Sequence, residues 1–515
     1  MNLPAFASAA SAPQRVLRGE TPWPVHDVAA SRAHEAAALA ATRAHRLMER
    51  AGTAVARVAR AVAPHARSVW IVCGPGNNGD DGLVVARLLG NAGLAVHVTW
   101  LGDEQRQSDD ARWALDAARQ AGVRVSPAWP SDDCELVIDA LLGLGSNRGL
   151  DGVLAQAVQR INRSPGIRLS IDLPTGLNAD TGTLDGGGTV RATHTVALLT
   201  LKPGLFTAAG RDCAGEIWFD PLGVEAGATP SSIRLASRDD LRGAMPSRSH
   251  DSHKGRFGDV AVVGGSPGMT GAALLAARAA LGAGAGRVLL HLLDDDAPRF
   301  DATRPELMFR DRSGLNDRDA LSRTTVVCGC GGGSAVREWL PPVLACCPRL
   351  VLDADALNAL AADEQLAIQL RSRSERALLT VLTPHPLEAA RLLDCDARQV
   401  QADRLRAART LAQRYRCAAL LKGSGSITAT PDGGCVINPT GNAWLAAGGT
   451  GDVLAGWIGG CWAQIAAAGA SSAAQAAIAS AWLHGHAAER ASVAPAGGPA
   501  LRAGDLIEWM RAGWR

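Results

Sequence analysis

The feature that most constrains the fold is an alternation of short apolar segments with Ala-rich segments of helical spacing, which occurs twice along the 515 residues. In the first half the apolar segments lie at 68–73, 94–100, 136–142 and 167–173. In the second half they lie at 259–263, 287–293, 325–328, 350–353, 378–382 and 418–422. Strands that alternate with helices of about ten residues are typical of parallel, doubly wound sheets. The pattern therefore predicts an α/β protein with two domains, each with its own sheet and core. It also predicts a helical stretch from Ser31 to His65, a helix from Leu83 to Asn91 and a hairpin near 426–437.

Composition along the chain predicts where these domains begin and end. We expect an irregular N-terminal arm at residues 1–25 and a first domain at 26–225. A stretch rich in Ala, Pro and Ser predicts a linker at 226–234, and a second domain is expected at 235–515.

The overall charge excludes one class of function. The chain has 52 basic and 50 acidic side chains, a net charge of +2. Nucleic-acid-binding proteins usually carry a strongly basic face, so a nucleic-acid partner is not expected. The apolar segment at 453–470 contains Gln464 and several glycines, which favours a buried helix over a membrane span.

The cysteines indicate a reducing environment. There are eleven, an odd number, and no CxxC pair occurs, which argues against a disulfide framework and a zinc site. Most lie in apolar runs, as core thiols do. With no signal-peptide pattern at the N-terminus, the sequence predicts a cytoplasmic protein.

The first glycine loop at first suggests a nicotinamide-dependent dehydrogenase. Residues 74–79 match G-x-G-x-x-G, and Asp103 follows the next predicted strand at about the position of a ribose-binding acid. However, Asn77, Asn78, Asp80 and Asp81 place amides and carboxylates where a pyrophosphate would approach. Such oxygens suit a hard cation, ribose or an amide better. A dehydrogenase is therefore our third choice.

Two more loops follow neighbouring predicted strands of the first domain. Asp139 opens the glycine-rich segment DALLGLGSNRG at 139–149, and Asp172 lies in IDLPTG at 171–176. Ligands of open α/β sheets bind at the carboxyl ends of the strands, where these loops converge. Taken singly, each acid or amide is as well explained as a cap or a turn former; together they favour a site built from Asn78, Asp139, Asp172 and Thr175.

These motifs, with LMERAG at 47–52 upstream, resemble the NAD(P)H-hydrate epimerase domain over about residues 25–225. The resemblance implies a Rossmann-like fold, Asp172 as the proton-transfer group, and a potassium ion held by Asn78, Asp139 and Thr175. It implies a hydrate pocket formed by Asn77, Asn78, Gly79, Asp80, Asp81, Gly143, Leu144, Gly145, Ser146, Asn147, Arg148, Gly149 and Asp172. One departure is Asp80, because the family usually has NNGGDG; a positive φ there would strain an aspartate.

The strongest motif of the second domain is GGTGDVLAG at 448–456, a glycine turn that leads into an apolar helix. Unpaired N–H groups at such a helix start can hold a transferring phosphoryl group, and Asp452 can accept a proton from a substrate hydroxyl. The structural alternative is that Asp452 only caps the N-terminus of the helix. Lys422 opens a second glycine turn, KGSGS, that suits a nucleotide phosphate but is not a Walker A motif.

Further loops of the second domain supply other candidates. His385 lies in the rigid segment TPHP after a strand, although a lone histidine there is often structural. GGSPGMTG at 264–271 and CGCGGG at 328–333 allow close ligand approach, and Asp353 and Asp355 are candidates for holding a magnesium–phosphate complex.

Residues from about 235 to 514 resemble the ribokinase-like, ADP-dependent NAD(P)H-hydrate dehydratase. The resemblance implies that the hydrate is contacted by Ala272, Gly331, His385 and Asp452. It implies that the nucleotide is contacted by Lys422, Gly423, Ser424, Gly425, Ser426 and Gly451. Ser426 replaces the family's usual threonine and keeps the hydroxyl, and Cys330 replaces the proline of GPG, which changes loop rigidity.

The resemblances together imply repair of hydrated NADH and NADPH. The first domain would interconvert the R and S hydrates, and the second would dehydrate the S form with ADP and Mg²⁺, giving NAD(P)H, AMP and phosphate. The alternative is a ribokinase-like vitamin kinase with a non-catalytic N-terminal ligand-binding module. The expected partners are NADH hydrate, NADPH hydrate and ADP, with no membrane; Ala-rich helical surfaces are compatible with a homo-oligomer.

Overall fold

The computed structural model describes residues 12–17, 19–144, 149–184, 186–224, 231–244, 248–465, 469–494 and 500–514. The chain forms two compact units. Described residues of 12–17 and 23–231 belong to the first unit, and those of 19–22 and 232–514 belong to the second.

The first unit is built on a mainly parallel sheet. Its strands are β1 (Gln14–Arg15), β3 (Ser68–Cys73), β4 (Ala95–Trp100), β5 (Arg124–Ser126), β6 (Leu136–Ala140), β7 (Ile167–Ile171), β8 (His194–Leu198) and β9 (Glu216–Asp220). The short strand β2 (Pro24–Val25) precedes the first helix of this unit and is not part of this sheet. The sheet order is β1-β9-β8-β7-β6-β3-β4-β5, in which only the β1–β9 pair is antiparallel. The carboxyl ends of the parallel strands therefore share one edge.

Helices cover this sheet. They are α1 (Val28–Ala41), α2 (Arg46–Val62), α3 (Asn77–Asn91), α4 (Asp109–Gln120), α5 (Gly152–Arg163) and α6 (Gly210–Cys213). Along β3, Val69 and Ile71 enter one hydrophobic cluster, whereas Trp70 and Val72 enter another. Because successive side chains of a strand point to opposite faces, both faces of the sheet are buried, as its apolar strands predict.

The second unit has a longer mixed sheet. Its strands are β10 (Ile233–Leu235), β11 (Asp259–Gly264), β12 (Arg287–Leu292), β13 (Met308–Phe309), β14 (Thr324–Cys328), β15 (Arg349–Leu352), β16 (Leu379–Leu382), β17 (Ala418–Leu421), β18 (Ile427–Ala429) and β19 (Cys435–Ile437). They run in the order β13-β12-β11-β14-β15-β16-β17-β18-β19-β10. The central strands β11 to β17 are parallel, and β18 and β19 form the antiparallel hairpin predicted near 426–437.

The helices of the second unit are α7 (Arg238–Ala244), α8 (Thr270–Gly282), α9 (Arg318–Leu321), α10 (Val336–Cys346), α11 (Asp355–Ala362), α12 (Glu364–Ser372), α13 (Pro386–Leu393), α14 (Ala397–Ala402), α15 (Arg404–Tyr415), α16 (Thr450–Gln464), α17 (Ala470–Val493) and α18 (Ala503–Gly513). Helices α8 and α16 pack at backbone contact. A methyl group at Gly456 would lie 2.0 Å from the Ala276 carbonyl oxygen, and one at Gly460 would lie 2.4 Å from that of Ala280. The glycines thus fix how closely the GTGD helix approaches its neighbour.

The structure differs from the sequence prediction in two helices. The helical stretch predicted from Ser31 to His65 is two helices, because Thr42 ends α1 and His45 has a φ of 61°. Helix α3 begins at Asn77 rather than near Leu83, because the Gly76 carbonyl accepts from the N–H groups of residues 79 and 80.

Two further findings concern the arm and the thiols. Residues 12–17 and 19–25, expected to be irregular, include β1 and β2; residues 1–11 and most of the expected linker lie outside the described residues. All eleven cysteines are free. Among the described helices, none combines the length and the apolar character that crossing a membrane requires.

Candidate active sites

A cavity of about 760 Å³ opens at the carboxyl edge of the first sheet. Its walls come from the segments that follow β3, β6, β7 and β8, and from α1 and α2. Of the predicted pocket residues, those that line it are Asn77, Asn78, Asp81, Gly143, Leu144 and Asp172. The three loops singled out in the sequence therefore meet at one cavity.

The remaining predicted pocket residues do not line this cavity. A methyl group at Gly79 would lie 2.1 Å from the Gly74 carbonyl oxygen, so this glycine is needed for the tight turn. Asp80 is buried in the first turn of α3, and burial, with a contribution from Asp110, raises its pKa to about 6. Gly149 is exposed, and Gly145, Ser146, Asn147 and Arg148 lie outside the described residues.

The position of Asp80 in the helix shows that its backbone is not strained. Because it is helical and does not have a positive φ, an aspartate in place of glycine is not strained there. The substitution instead places a second carboxyl group beside Asp81. The pKa of Asp81 is raised well above its ordinary value by burial and by neighbouring carboxylates, of which Asp80 contributes most.

Asp172 occupies a constrained position after β7. Its φ is 64°, in the left-handed region, and its backbone N–H donates to the Val196 carbonyl at 2.8 Å. Its carboxylate forms an ion pair with Lys202, whose side chain is 1% exposed, and accepts from the Leu198 N–H at 3.2 Å. Lys202 also donates to the Leu198 carbonyl at 2.9 Å. These contacts fix the carboxylate at the edge of the cavity.

Glu35, on α1, brings a further carboxyl group to the same cavity. Burial raises its pKa above the ordinary glutamate value, and the charge of Asp172 raises it further. The charge of Lys202 and a hydrogen bond with Asn77 act in the opposite direction. Glu35 and Asp172 thus line the cavity, together with Asp81 and Asp110, and lie in different environments, an arrangement that can divide acid and base roles.

Asp139 and Thr175 lie behind the cavity wall. The Asp139 carboxylate accepts from the Thr175 hydroxyl at 2.7 Å, from the Thr175 N–H at 2.9 Å and from Ser170 at 2.8 Å. The Leu142 N–H donates to the Thr175 hydroxyl at 3.1 Å. Burial raises the pKa of Asp139, although these hydrogen bonds oppose the shift.

Asn78 lies beside Gly143, the residue that follows Leu142. A methyl group at Gly143 would lie 3.5 Å from the Asn78 side chain. Asn78 is buried, and its amide nitrogen has no hydrogen-bond partner among the described residues. Rotating the amide would present an oxygen instead of this unsatisfied nitrogen. Hard oxygen donors thus surround the segment at 142–143.

In the second unit, polar side chains gather at the carboxyl edge of the central strands. Lys422, after β17, donates to Asp353 at 2.6 Å, and Thr383, after β16, donates to the same oxygen at 2.7 Å. Burial alone would lower the pKa of Lys422, but the charges of Asp353 and Glu388 outweigh it and raise the pKa. The ammonium group is therefore held charged at this edge.

Asp452 reaches the same edge from the first turn of α16. Burial, together with the charge of Asp353, raises its pKa to about 6. The buried Cys330 thiol donates to an Asp353 oxygen at 3.9 Å and lies within 4.8 Å of an Asp452 oxygen. A methyl group at Gly451 would lie 3.4 Å from the Lys422 ammonium. Asp452, Gly451 and Lys422 are therefore neighbours.

Cys330, Asp353 and Asp452 present three potential ligand atoms within 4.8 Å of one another. However, burial raises the pKa of the Cys330 thiol well above its usual range. A protonated thiol donates a hydrogen bond and is a poor metal ligand. The thiol therefore acts here as a hydrogen-bond donor to Asp353.

The predicted substrate residues Ala272 and Gly331 are in contact, since a methyl group at Gly331 would lie 2.9 Å from the Ala272 side chain. The Ser266 N–H donates to the Gly331 carbonyl at 2.7 Å, and the Gly265 N–H donates to that of Cys330 at 3.0 Å. The two glycine-rich loops are thus joined into one surface beside Asp452.

His385 caps α13. Its Nδ1 accepts from the N–H groups of Leu387 at 3.1 Å and Glu388 at 3.4 Å, and the Glu388 carboxylate accepts from the His385 N–H at 2.8 Å. Burial raises the pKa of Glu388 to about 7, and it lies 3.9 Å from Lys422. This local capping role does not require a ligand.

The buried Arg404 supports the KGSGS turn. Its guanidinium donates to the Lys422 carbonyl at 3.2 Å and to Gln401 at 2.6 Å. The Ser426 hydroxyl donates to the Gly423 carbonyl at 3.1 Å, which closes the turn. Ser424 and Gly425 complete it, and Gly425 has a φ of 64°.

Sequence reasoning missed four side chains of these sites: Glu35, Lys202, Thr383 and Glu388. Lys202 and Thr383 follow apolar strands directly or closely, so the rule that ligands bind at carboxyl strand ends contained a signal for them. Glu35 lies in an Ala-rich helix with no motif around it. Glu388 lies two residues after the TPHP motif and belongs to no predicted site.

Comparison with known proteins covers both units. Residues 44–204 match the family model for the YjeF-related protein N-terminus, and residues 260–508 match that for NAD(P)H-hydrate dehydratase. The chain is 36% identical over 448 residues to the bifunctional NAD(P)H-hydrate repair enzyme Nnr of Escherichia coli (strain K12), covering 85% of this chain and 84% of that protein.

Other relatives extend this comparison. The chain is 35% identical over 477 residues to the Coxiella burnetii protein of the same name, covering 91% of this chain and 94% of that one. Among solved structures, the ADP/ATP-dependent NAD(P)H-hydrate dehydratase of Bacillus subtilis, co-crystallised with ATP and Mg²⁺, is 28% identical with a TM-score of 0.46. That match covers 54% of this chain and 97% of the B. subtilis chain.

Proposed function

We propose a mechanism for each site from this premise: the chain belongs to the family of bifunctional NAD(P)H-hydrate repair enzymes. It repairs hydrated NADH and NADPH, with an epimerase in the N-terminal half and a dehydratase in the C-terminal half. In the hydrate, ring carbon C6 carries a hydroxyl group beside the ring nitrogen N1.

In the first unit, the hydrate occupies the cavity lined by Asn77, Asn78, Asp81 and Asp172. The Asp172 carboxylate takes the proton of the C6 hydroxyl, so that the C6–N1 bond can open and re-form with the opposite configuration at C6. Support comes from its ion pair with Lys202 and from its position at the cavity edge. A carboxylate held in one orientation loses little entropy when it meets its substrate.

Potassium fits the oxygen donors behind this cavity. Asn78, Asp139 and Thr175 would hold it, and the unsatisfied amide of Asn78 is the observation that supports this assignment. When bound, the ion would supply a fixed positive charge beside the loop at 142–143.

In the second unit, Asp452 accepts the proton of the C6 hydroxyl as that oxygen bonds to the terminal phosphorus of ADP. The bond from this phosphorus to its bridging oxygen breaks, and AMP leaves. The N1 electron pair then expels phosphate from C6, and loss of a C5 proton forms the C5–C6 double bond of NAD(P)H. The pKa of Asp452, raised to about 6, suits a base that works near neutral pH.

The nucleotide lies over the turn from Lys422 to Ser426 and over Gly451. Lys422 has three N–H donors, and Asp353 uses one of them at 2.6 Å, so others remain for a phosphate. The N–H groups at the start of α16 stabilise the phosphoryl group during transfer. On the neighbouring loops, the hydrate is contacted by His385, Ala272 and Gly331.

Magnesium does not fit the expected side chains directly. Asp353 is engaged by Lys422 and Thr383, and Asp355 accepts from the Gly333 N–H at 2.8 Å and from Asn358 at 3.3 Å. Mg²⁺ prefers open oxygen ligands and usually keeps several waters with substrate phosphates.

The observation that carries the proposal for the dehydratase is the convergence of Asp452, Gly451 and Lys422 at one sheet edge. The test follows absorbance at 340 nm after a racemic NADH hydrate is mixed with the full chain, ADP, Mg²⁺ and K⁺. The wild type is expected to recover the signal from both epimers. Asp172→Asn should stop near half, beyond the spontaneous rate, and Asp452→Asn should recover none.

Two outcomes would contradict the proposal. A stable phosphorylated product without NADH would favour a small-molecule kinase. Full recovery by Asp172→Asn at the wild-type rate would show that Asp172 is not the proton-transfer group of the first unit.

A further inference from the structure

Helix α1 forms part of the cavity wall in the first unit, and no sequence motif marks it. Its position is fixed by two contacts. The Asp27 side chain caps its N-terminus by accepting from the Ala30 N–H at 2.8 Å. The buried Ser31 and Thr200 hydroxyls share a hydrogen bond of 2.8 Å. Because Thr200 lies two residues before Lys202, this bond joins α1 to the segment that carries the partner of Asp172.

Glu35 lies one helical turn after Ser31, on the same face of α1. It therefore faces the cavity, which it lines together with Asn77, Asp172 and Lys202. Glu35 is only partly buried, so it remains open to a molecule in the cavity. Its side chain has a hydrogen bond with Asn77, the first residue of α3.

We infer that Glu35 is the second proton-transfer group of the epimerase, acting as the acid while the Asp172 carboxylate acts as the base. This inference rests on the proposed function of the first unit. Inverting a hydroxyl-bearing carbon beside a nitrogen requires a proton to leave one atom and another to arrive elsewhere. Among the carboxyl groups that line the cavity, those of Glu35 and Asp172 have different partners, Asn77 and Lys202, which suits these two transfers.

The step is a reversible ring opening. Asp172 takes the proton of the C6 hydroxyl, and C6 becomes an aldehyde carbon as the C6–N1 bond breaks. The electron pair of that bond goes to N1, which takes the proton released by Glu35. After rotation of the aldehyde, N1 attacks its opposite face, Glu35 recovers the N1 proton, and Asp172 returns its proton to the oxygen. Atoms and charges balance, and no further reactant is needed.

The charged surroundings favour these roles. Burial and the charge of Asp172 raise the pKa of Glu35, while Lys202 and Arg32 lower it less. The partly buried Asp81 also faces these carboxyl groups, and burial raises its own pKa. Glu35 thus retains its proton to higher pH than an ordinary glutamate, as an acid near neutral pH requires.

The experiment measures epimerisation alone. Without ADP the dehydratase cannot turn over, so one purified NADH hydrate epimer is incubated with the full chain and K⁺, and the two epimers are separated by chromatography over time. Glu35→Gln keeps the size and the hydrogen-bonding capacity of the side chain but cannot release a proton. The control is Glu104→Gln, an exposed glutamate of the first unit that pairs with Arg119 and does not line the cavity.

General acid–base groups contribute about 10²- to 10⁴-fold, so kcat for Glu35→Gln should fall at least about 100-fold while KM changes little. The wild-type rate should decline at high pH as the acid is lost, and this decline should be absent from the residual rate of Glu35→Gln. Glu35→Asp should restore part of kcat and the decline. Glu104→Gln should retain the wild-type rate.

Several results would overturn the inference. These are a Glu35→Gln rate within about threefold of wild type, a loss confined to KM, or an equal loss in Glu35→Gln and Glu35→Asp. Dehydration of the S epimer with ADP, measured on the same preparations, and hydrogen exchange of α1 show that each variant is folded. If the wild type does not accelerate epimerisation, the proposed function itself fails, whatever the variants do.

Discussion

Replacing Lys202 by methionine tests the ion pair on which the first site is built. The Lys202 side chain is 1% exposed and the Asp172 side chain 12% exposed, so the pair is shielded from water. Methionine fills a similar volume but leaves the carboxylate without its cation. Removing one partner of a buried pair costs about 3–5 kcal/mol, a large share of the roughly 5–15 kcal/mol that stabilises a domain.

Hydrogen exchange resolves this loss within the first unit. Peptides that cover β7 and β8, the strands before Asp172 and Lys202, report the local free energy of opening. At about 1.4 kcal/mol for each tenfold change, Lys202→Met should speed exchange at least about 100-fold. Peptides of the second unit should exchange at the wild-type rate, and dehydration of the S epimer should persist.

The control removes an exposed ion pair in the same unit. Arg112→Met breaks the pair with Asp109, whose side chains are 58% and 90% exposed, and should cost no more than about 1 kcal/mol. The double variant Lys202→Met with Asp172→Asn should recover much of the lost stability, because no unpaired charge remains. A Lys202→Met effect as small as that of Arg112→Met would refute the reasoning.

Three further predictions concern pH, packing and the cation. The pKa of Glu388 is raised from 4.5 to about 7 in the folded protein, so the stability of the second unit should fall as pH rises from 4.5 to 7; in Glu388→Gln, thermal melting should show a smaller fall. Gly456→Ala places a methyl group 2.0 Å from the Ala276 carbonyl, and the second unit should lose about 1–3 kcal/mol in urea unfolding. Thr175→Val removes the hydroxyl that donates to Asp139 at 2.7 Å, so epimerisation should lose its response in a K⁺ titration.

Each of these has its own control. Glu364→Gln removes an exposed ion pair with Arg371 and should leave the pH dependence of melting unchanged. Gly504→Ala adds a methyl group with nothing within 4 Å in a helix and should stabilise by about 0.5–1 kcal/mol, the opposite sign to Gly456→Ala. Dehydration should not respond to Thr175→Val, and an equal loss in both activities would argue against a local cation site.

Much of the fold was predictable because the apolar pattern is strong and local. Strand β3 is buried on both faces, and its run of apolar residues predicts this directly. Asp139, Asp172 and Asp353 could be placed at one edge of their sheets because parallel strands end at the same edge. The start of α3 was not predictable, since its cap is the backbone of Gly76 and the first turn contains residues that usually form loops.

The local sequence pattern did not predict which charged side chains pair with each other in the two sites. The sequence around Lys422 predicts a phosphate ligand, yet the structure places its ammonium 2.6 Å from Asp353, a residue of another strand. The two findings are compatible, since the ammonium has three donors and a carboxylate that holds one of them fixes its direction. In the proposed site, a phosphate would therefore meet an oriented, charged lysine rather than a mobile one. In the first unit Lys202 is used differently: it donates to Asp172 and to the Leu198 carbonyl, and its burial directs it toward the acid rather than toward a ligand.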